Sequence, residues 1–250
     1  MIPGYRPHAR ASSLTAVLAC LLLVEAAPAD AEPFGWQQSP LPGTPVVLRY
    51  SFVNLFDPPF ASIPEAPLRT ATEEALKLWS QYAPLHFIES VDSGPPPSDA
   101  DYPADGHPEI RIGAHADGDE LVLAHAFIPD AANITGLSGD IHFNSESILN
   151  WGIEDGFPVV DFLEVLVHEI GHVLGLVHID GIDAIMNPLH GFRFRRGESA
   201  FLLPADIEAI RALYGAGEGS VEPMPEPTTI ALVSTGLLAA LVRRARRRRC

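Results

Sequence analysis

The chain has 250 residues, 47% of them hydrophobic, which is enough for one substantial domain with its own core and excludes a disordered polypeptide. Its formal charge is -16, and six of its sixteen basic residues crowd into the final RRARRRRC, so the middle is more acidic still and excludes nucleic acid or an anionic membrane as its partner. The two cysteines, Cys20 and Cys250, leave no internal pair to staple the domain, so stability has to come from the core and from bound metal.

In chain order, a weakly basic start (Arg6, Arg10) precedes an apolar run over 14–24 and then Ala29-Asp30-Ala31, an A-x-A cleavage pattern. Residues 1–31 therefore read as a secretory signal peptide. Cys20 behind Val17-Leu18-Ala19 also faintly resembles a lipoprotein acceptor, although the apolar run continues past it. The working domain is expected over 32–215. VVLRYSFV at 46–53 is β-branched and aromatic and predicts a strand. Leu68, Ala71, Ala75, Leu78 and Trp79 share one face of a predicted helix over 67–82, which Pro84 ends. Strands are predicted over 85–91, 110–112, 121–128 and 139–144. The proline-rich, acidic stretch 93–108 reads as a surface insertion. Helices follow over 160–176 and 204–213. The Gly, Ser, Glu and Pro run after Gly215 reads as a linker, 216–227, ending in Pro-Glu-Pro.

The chemistry concentrates in HEIGHVLGLVH, which begins at His168. Residues four apart share a helix face, so His168 and His172 can present two imidazole nitrogens to one cation, with zinc suited to them. Glu169 is placed to reach a water on that metal and act as general base. Gly175 can take a positive φ and turn the chain out of the helix, so that His178 returns as third ligand. The competing reading, a buried helix with satisfied histidines, has to bury Glu169 among them without compensation, which is costly.

H-E-x-x-H-x-x-G-x-x-H followed by Met186 in AIMNP resembles the metzincin signature with its Met-turn. ALKLWSQYAPLHFIE, LAHAF, GDIHF and LPADIEAIRALYG narrow the resemblance to the matrixins, the matrix metalloproteinase family, over about 46–215. The resemblance implies an α+β fold: a twisted mixed five-stranded sheet with three helices and an active-site cleft. Met186 would form an apolar floor under the zinc. A second, structural zinc is implied at His115, Asp117, His125 and His142. A calcium ion (Ca2+) is implied at Asp140 and Glu109 with the carbonyls of Gly136 and Ser138, although Asn144 stands where the family usually has Asp and the turn over 116–124 is too short for a full glycine-rich calcium loop. For a protein or peptide substrate, Leu123 and Ala124 would offer main-chain hydrogen bonds and Pro188, Leu189 and His190 would wall the primed-side pocket, His190 replacing the family's usual tyrosine. Arg193, Arg195 and Arg196 would bias that side toward acidic residues. No cysteine lies between Ala31 and the first strand, so a cysteine cap on the zinc is not expected.

At the far end, Pro225-Glu226-Pro227, an apolar stretch over 230–242 and the arginine cluster resemble the PEP-CTERM sorting signal of Gram-negative bacteria, which implies recognition by an exosortase over 228–250. The other reading of the same segment is a retained transmembrane helix with a positive flank. Both imply membrane contact through the tail. The expectations are thus a secreted or cell-surface zinc-dependent metalloendopeptidase, acting as a monomer through a zinc-bound water activated by Glu169. Two alternatives stay open. One is a catalytically silent, metal-containing surface or matrix binding module; the other is a processing protein dedicated to one partner in an exported polysaccharide matrix.

Overall fold

The computed structural model describes residues 21–23, 35–36, 43–57, 63–104, 106–130, 133–147, 149–153, 159–191, 194 and 200–224. The first strand, β1 (Leu21–Leu23), is followed by β2 (Val46–Phe52), α1 (Glu65–Ser80), β3 (Leu85–Glu89), β4 (Ile110–His115), β5 (Val122–Ala126) and β6 (Asp140–Asn144). Then come β7 (Asn150–Gly152), β8 (Val159–Asp161), α2 (Phe162–Val173), α3 (Pro204–Tyr214) and β9 (Ser220–Glu222).

The main sheet runs β1-β5-β6-β4-β2-β3-β9, with β7 and β8 forming a small parallel pair apart from it. Its five inner strands, β5-β6-β4-β2-β3, are the mixed sheet expected, and three α-helices accompany them. Among the described strands only the β5 and β6 pair is antiparallel, His125 facing His142 and Ala124 facing Phe143. In β2 the alternation that marks a strand in the sequence is also the burial pattern: Val46, Leu48 and Tyr50 point into the core while Val47 and Arg49 face out. β4, at the middle of the sheet, is buried along nearly its whole length, as a strand covered on both faces must be.

Helix α2 packs against β5 and β6, and α1 packs against α2, β3 and β9. Trp79 of α1 is fully buried and donates its indole N–H to the Val167 carbonyl at 3.0 Å, fastening the two helices. Asp161 caps α2, its carboxylate accepting the Leu163 N–H at 2.8 Å. The helix is shorter than the predicted 160–176, since Val160 and Asp161 belong to β8 and the last helical residue is Val173, but the chain leaves it through Gly175 as expected. Gly175 has φ +94°, and the Leu176 N–H folds back to the Gly171 carbonyl at 2.9 Å.

Two segments depart from the sequence reading. The linker begins as structure: Gly219 donates to the Ser80 carbonyl at 2.7 Å, β9 pairs in parallel with β3, and the Met224 N–H reaches Glu89 at 2.9 Å. The domain therefore extends past Gly215, because an open sheet edge recruits a strand that local composition does not announce. At the other edge, Leu21–Leu23, within the stretch read as a signal peptide, lies parallel to β5, with Leu21 opposite Val122 and Leu23 opposite His125. The other residues of the expected signal peptide (1–20 and 24–31), Pro225-Glu226-Pro227 and the segment 228–250 lie outside the described residues. Among the described residues, no helix is long and apolar enough to cross a membrane.

Candidate active site

The i, i+4 spacing on α2 brings His168 and His172 together as expected, and the turn at Gly175 returns His178 to them. Each offers one ring nitrogen to a common point, the three atoms lying within 4.8 Å of one another. His168 Nδ1 lies 2.7 Å from the Ile185 carbonyl, and His172 Nδ1 lies 2.8 Å from the Leu176 carbonyl. A carbonyl only accepts, so both Nδ1 atoms carry the proton and both Nε2 atoms carry lone pairs. Those two lone pairs face each other across 2.9 Å. Without a cation that contact is repulsive; between two zinc ligands it is ordinary, since tetrahedral bonds of about 2.0 Å set neighbouring donors roughly 3.3 Å apart.

Burial supports the same reading. His168 and His172 are 1% and 0% exposed. Burial pushes the His172 imidazole down to about 3, opposed by its bond to Leu176 and assisted by His178, so it stays neutral, the form a metal takes. Burial also lowers His178, against the pull of Asp180. Among the described residues, His178 Nε2 has no hydrogen-bond partner, and neither carboxylate oxygen of the wholly buried Glu169 has one. Three orphaned polar atoms beside two opposed lone pairs are a polar cradle that fits zinc and a reacting group. Burial raises the Glu169 carboxyl well above the ordinary range, as suits a group that must take up a proton.

Met186 is fully buried. A Cβ at Gly171 would stand 2.2 Å from Met186 Sδ and 3.0 Å from the Trp79 ring, so glycine there lets Met186 seat against α2 without displacement. Asp206 of α3, which the sequence reading missed, fixes that turn. Its carboxylate accepts the N–H groups of Ile185 at 2.9 Å, Met186 at 3.1 Å and Leu203 at 3.1 Å. Glu164 was missed as well. It lies one turn before His168, is 3% exposed, and accepts from Gly191 at 3.2 Å and Phe194 at 3.0 Å, with His190 Nδ1 3.6 Å away. The residues expected to form the pocket wall divide: His190 turns its ring toward Glu164, while Leu189 is exposed and Pro188 half-buried. Arg193, Arg195 and Arg196 lie outside the described residues. Leu123 and Ala124 are buried on β5, whose outer edge takes Leu21–Leu23.

A second cluster gathers His115, His125 and His142, from β4, β5 and β6, with a carboxylate. The carboxylate is Asp99, not Asp117. Asp117 instead accepts from His125 Nδ1 at 3.1 Å. The shortened turn explains the displacement: the Asn144 side chain donates to the carbonyls of Asp119 and Val122 at 2.8 and 2.9 Å and accepts from the Asp117 N–H, pinning the turn to β6. The calcium donors are also redirected. Asp140 faces the Arg111 guanidinium at 3.2 Å and the Tyr102 hydroxyl at 2.9 Å. Glu109 is held by Arg49 through two side-chain bonds of 3.0 and 3.1 Å. Protein cations take the place proposed for Ca2+, and a divalent ion beside Asp140 would meet the buried Arg111 charge. Gly136 and Ser138 then belong to a turn in which Ser138 Oγ accepts from Asp130.

The matrixin family model matches residues 44–215. Stromelysin-3 from Mus musculus is 34% identical over 175 residues, covering 70% of this chain and 32% of that protein. Matrilysin from Felis catus is 35% identical over 162 residues, 61% of this chain and 53% of that protein, and matrix metalloproteinase-C from Caenorhabditis elegans is 35% identical over 168 residues, 61% and 26%. The chain spans about a third of the length of the stromelysin-3 it matches. The matched region contains both histidine clusters, the Met-turn and every strand of the five-stranded sheet. On that match, which covers well over half of its length, the chain belongs to the matrixin family.

Proposed function

We propose that this protein is a zinc-dependent endopeptidase that cleaves proteins or peptides outside the cell. The observation that carries the reading is the pair of buried Nε2 lone pairs 2.9 Å apart, beside a Glu169 carboxylate that has no hydrogen-bond partner among the described residues. His168, His172 and His178 would hold the metal. When bound, zinc supplies a Lewis acid that polarises a carbonyl and brings water toward neutral acidity. Glu169, raised by burial, takes the proton from the attacking water at its carboxylate and passes it to the departing amine. Met186 and Asp206 hold the turn beneath the histidines, so the ligands keep their spacing. An extended substrate adds to the outer edge of β5 at Leu123 and Ala124, a mode supported by that edge's pairing with Leu21–Leu23. Pro188, Leu189 and His190 form the wall beyond the metal.

A second zinc at His115, His125 and His142 stabilises the sheet. The signal peptide carries the chain out of the cytoplasm of a Gram-negative bacterium, and the PEP-CTERM-like tail delivers it through an exosortase to the surface or beyond. Purified protein incubated with casein tests the enzymatic reading: cleavage should cease with a zinc chelator and return on adding zinc. Casein left intact by protein with its catalytic zinc in place would refute it. Mass determination of the native protein reads both ends, and a tail still present would refute removal by the exosortase.

A further inference from the structure

We infer that Asp99, carried by the 93–108 insertion, supplies the fourth ligand of the second metal site, with Asp117 serving as the outer partner of His125. The inference rests on the proposed second zinc and specifies how this chain completes it. Asp99 Oδ1 lies 3.0 Å from His125 Nε2, 3.2 Å from His115 Nε2 and 3.4 Å from His142 Nδ1. His115 Nε2 and His142 Nδ1 are themselves 3.1 Å apart. These distances cluster around the edge of roughly 3.3 Å that a tetrahedron of zinc bonds requires. Three nitrogens and one carboxylate oxygen make a closed set of the kind a structural zinc takes.

The far nitrogens agree. His115 Nδ1 lies 2.8 Å from the Ala116 carbonyl, His125 Nδ1 lies 3.1 Å from Asp117, and His142 Nε2 lies 3.6 Å from Asp140. Each ring turns its second nitrogen toward an oxygen, the arrangement that fixes tautomer and orientation in metal-bound histidine. Because the two nitrogens of one imidazole point apart, Asp117 stands on the opposite side of the His125 ring from Asp99.

The insertion is braced to present Asp99 there. Arg111, 2% exposed, binds Asp92 at 2.6 Å and the Pro95 carbonyl at 2.7 Å, and its guanidinium lies 4.9 Å from the Tyr102 ring centre. Tyr102 in turn bonds Asp140 and, through its N–H, the Thr135 carbonyl at 2.7 Å. Asp99 thus hangs between two anchors, Pro95 and Tyr102, directly over the three histidines. Its side chain is 58% exposed, whereas the histidines are 16% or less, so metal would enter and leave on the Asp99 side.

Cobalt-loaded full-length protein tests the assignment. A thiolate bound to Co2+ gives a strong near-ultraviolet charge-transfer band that imidazole and carboxylate ligands do not. Asp99→Cys should acquire this band over the unaltered protein, and Asp117→Cys should not. Asp117→Asn should keep two metals per chain, with the affinity of the second lowered about tenfold to a hundredfold. A band in Asp117→Cys as strong as in Asp99→Cys, or no band in Asp99→Cys while two metals bind, overturns Asp99 as ligand and leaves the second zinc standing. A single metal per chain in the unaltered protein removes the second site itself.

Discussion

His168 and His172 each commit Nδ1 to a backbone carbonyl, and that commitment decides what their other nitrogen is for. Such pairing is legible in a sequence because four residues along a helix return to the same face. Glu164 obeys the same spacing one turn earlier, yet nothing local marks it as more than a helix residue. Its role appears only when the chain after the Met-turn folds back to donate Gly191 and Phe194 N–H groups to it. Asp99 was equally invisible, since its partners arrive from three different strands. Glu164→Ala leaves the Gly191 and Phe194 N–H groups without their carboxylate acceptor and removes the carboxylate beside His190, loosening the chain after the Met-turn without touching the three clustered histidines. Peptide hydrolysis kinetics should show KM rising about tenfold with kcat and zinc content nearly kept, a free-energy change of about 1.4 kcal/mol.

At the scale of elements, the strands and helices that matter were readable wherever burial follows a simple period, as in β2, α1 and α2. β9 was not. Its only large apolar residue is Val221, and it becomes a strand because β3 offers an unpaired edge. Ending the chain after Gly215 should therefore lower the melting temperature by about 2–4 °C for each kcal/mol lost, measured by thermal denaturation. The insertion is held by a buried charge network that the sequence showed only as scattered acids. Burial alone would raise Asp92, but the Gly94 N–H, the Arg111 guanidinium and the Ser51 hydroxyl outweigh it and hold the carboxyl below the usual aspartate value. A lowered folded value means its contribution is complete above about pH 4, the unfolded value, and is lost as pH falls through the folded one. Asp92→Asn should cost about 3 kcal/mol at neutral pH in denaturant unfolding, and the gap from the unaltered protein should close below about pH 4.

For the whole molecule, the arrangement joins a sheet whose outer edge accepts an extended segment to a helix whose histidines converge just below it. The resemblance anticipated that architecture because the quoted stretches also hold residues that shape it: Gly175 of the signature turns the helix and Gly171 beside it admits Met186, while the part of Asp206, which reaches back to the Met-turn, became visible only in the fold. Two of the calcium donors it implies are engaged within the chain, Asp140 by Arg111 and Glu109 by Arg49. The central claim is that three imidazoles grip one zinc while Glu169 moves the proton. Its most direct test is the rate of peptide hydrolysis by Glu169→Ala beside the unaltered protein, each first shown to carry the same zinc. The account predicts equal metal and a rate about 10²–10⁴-fold lower in the variant; equal rates at equal zinc would contradict it.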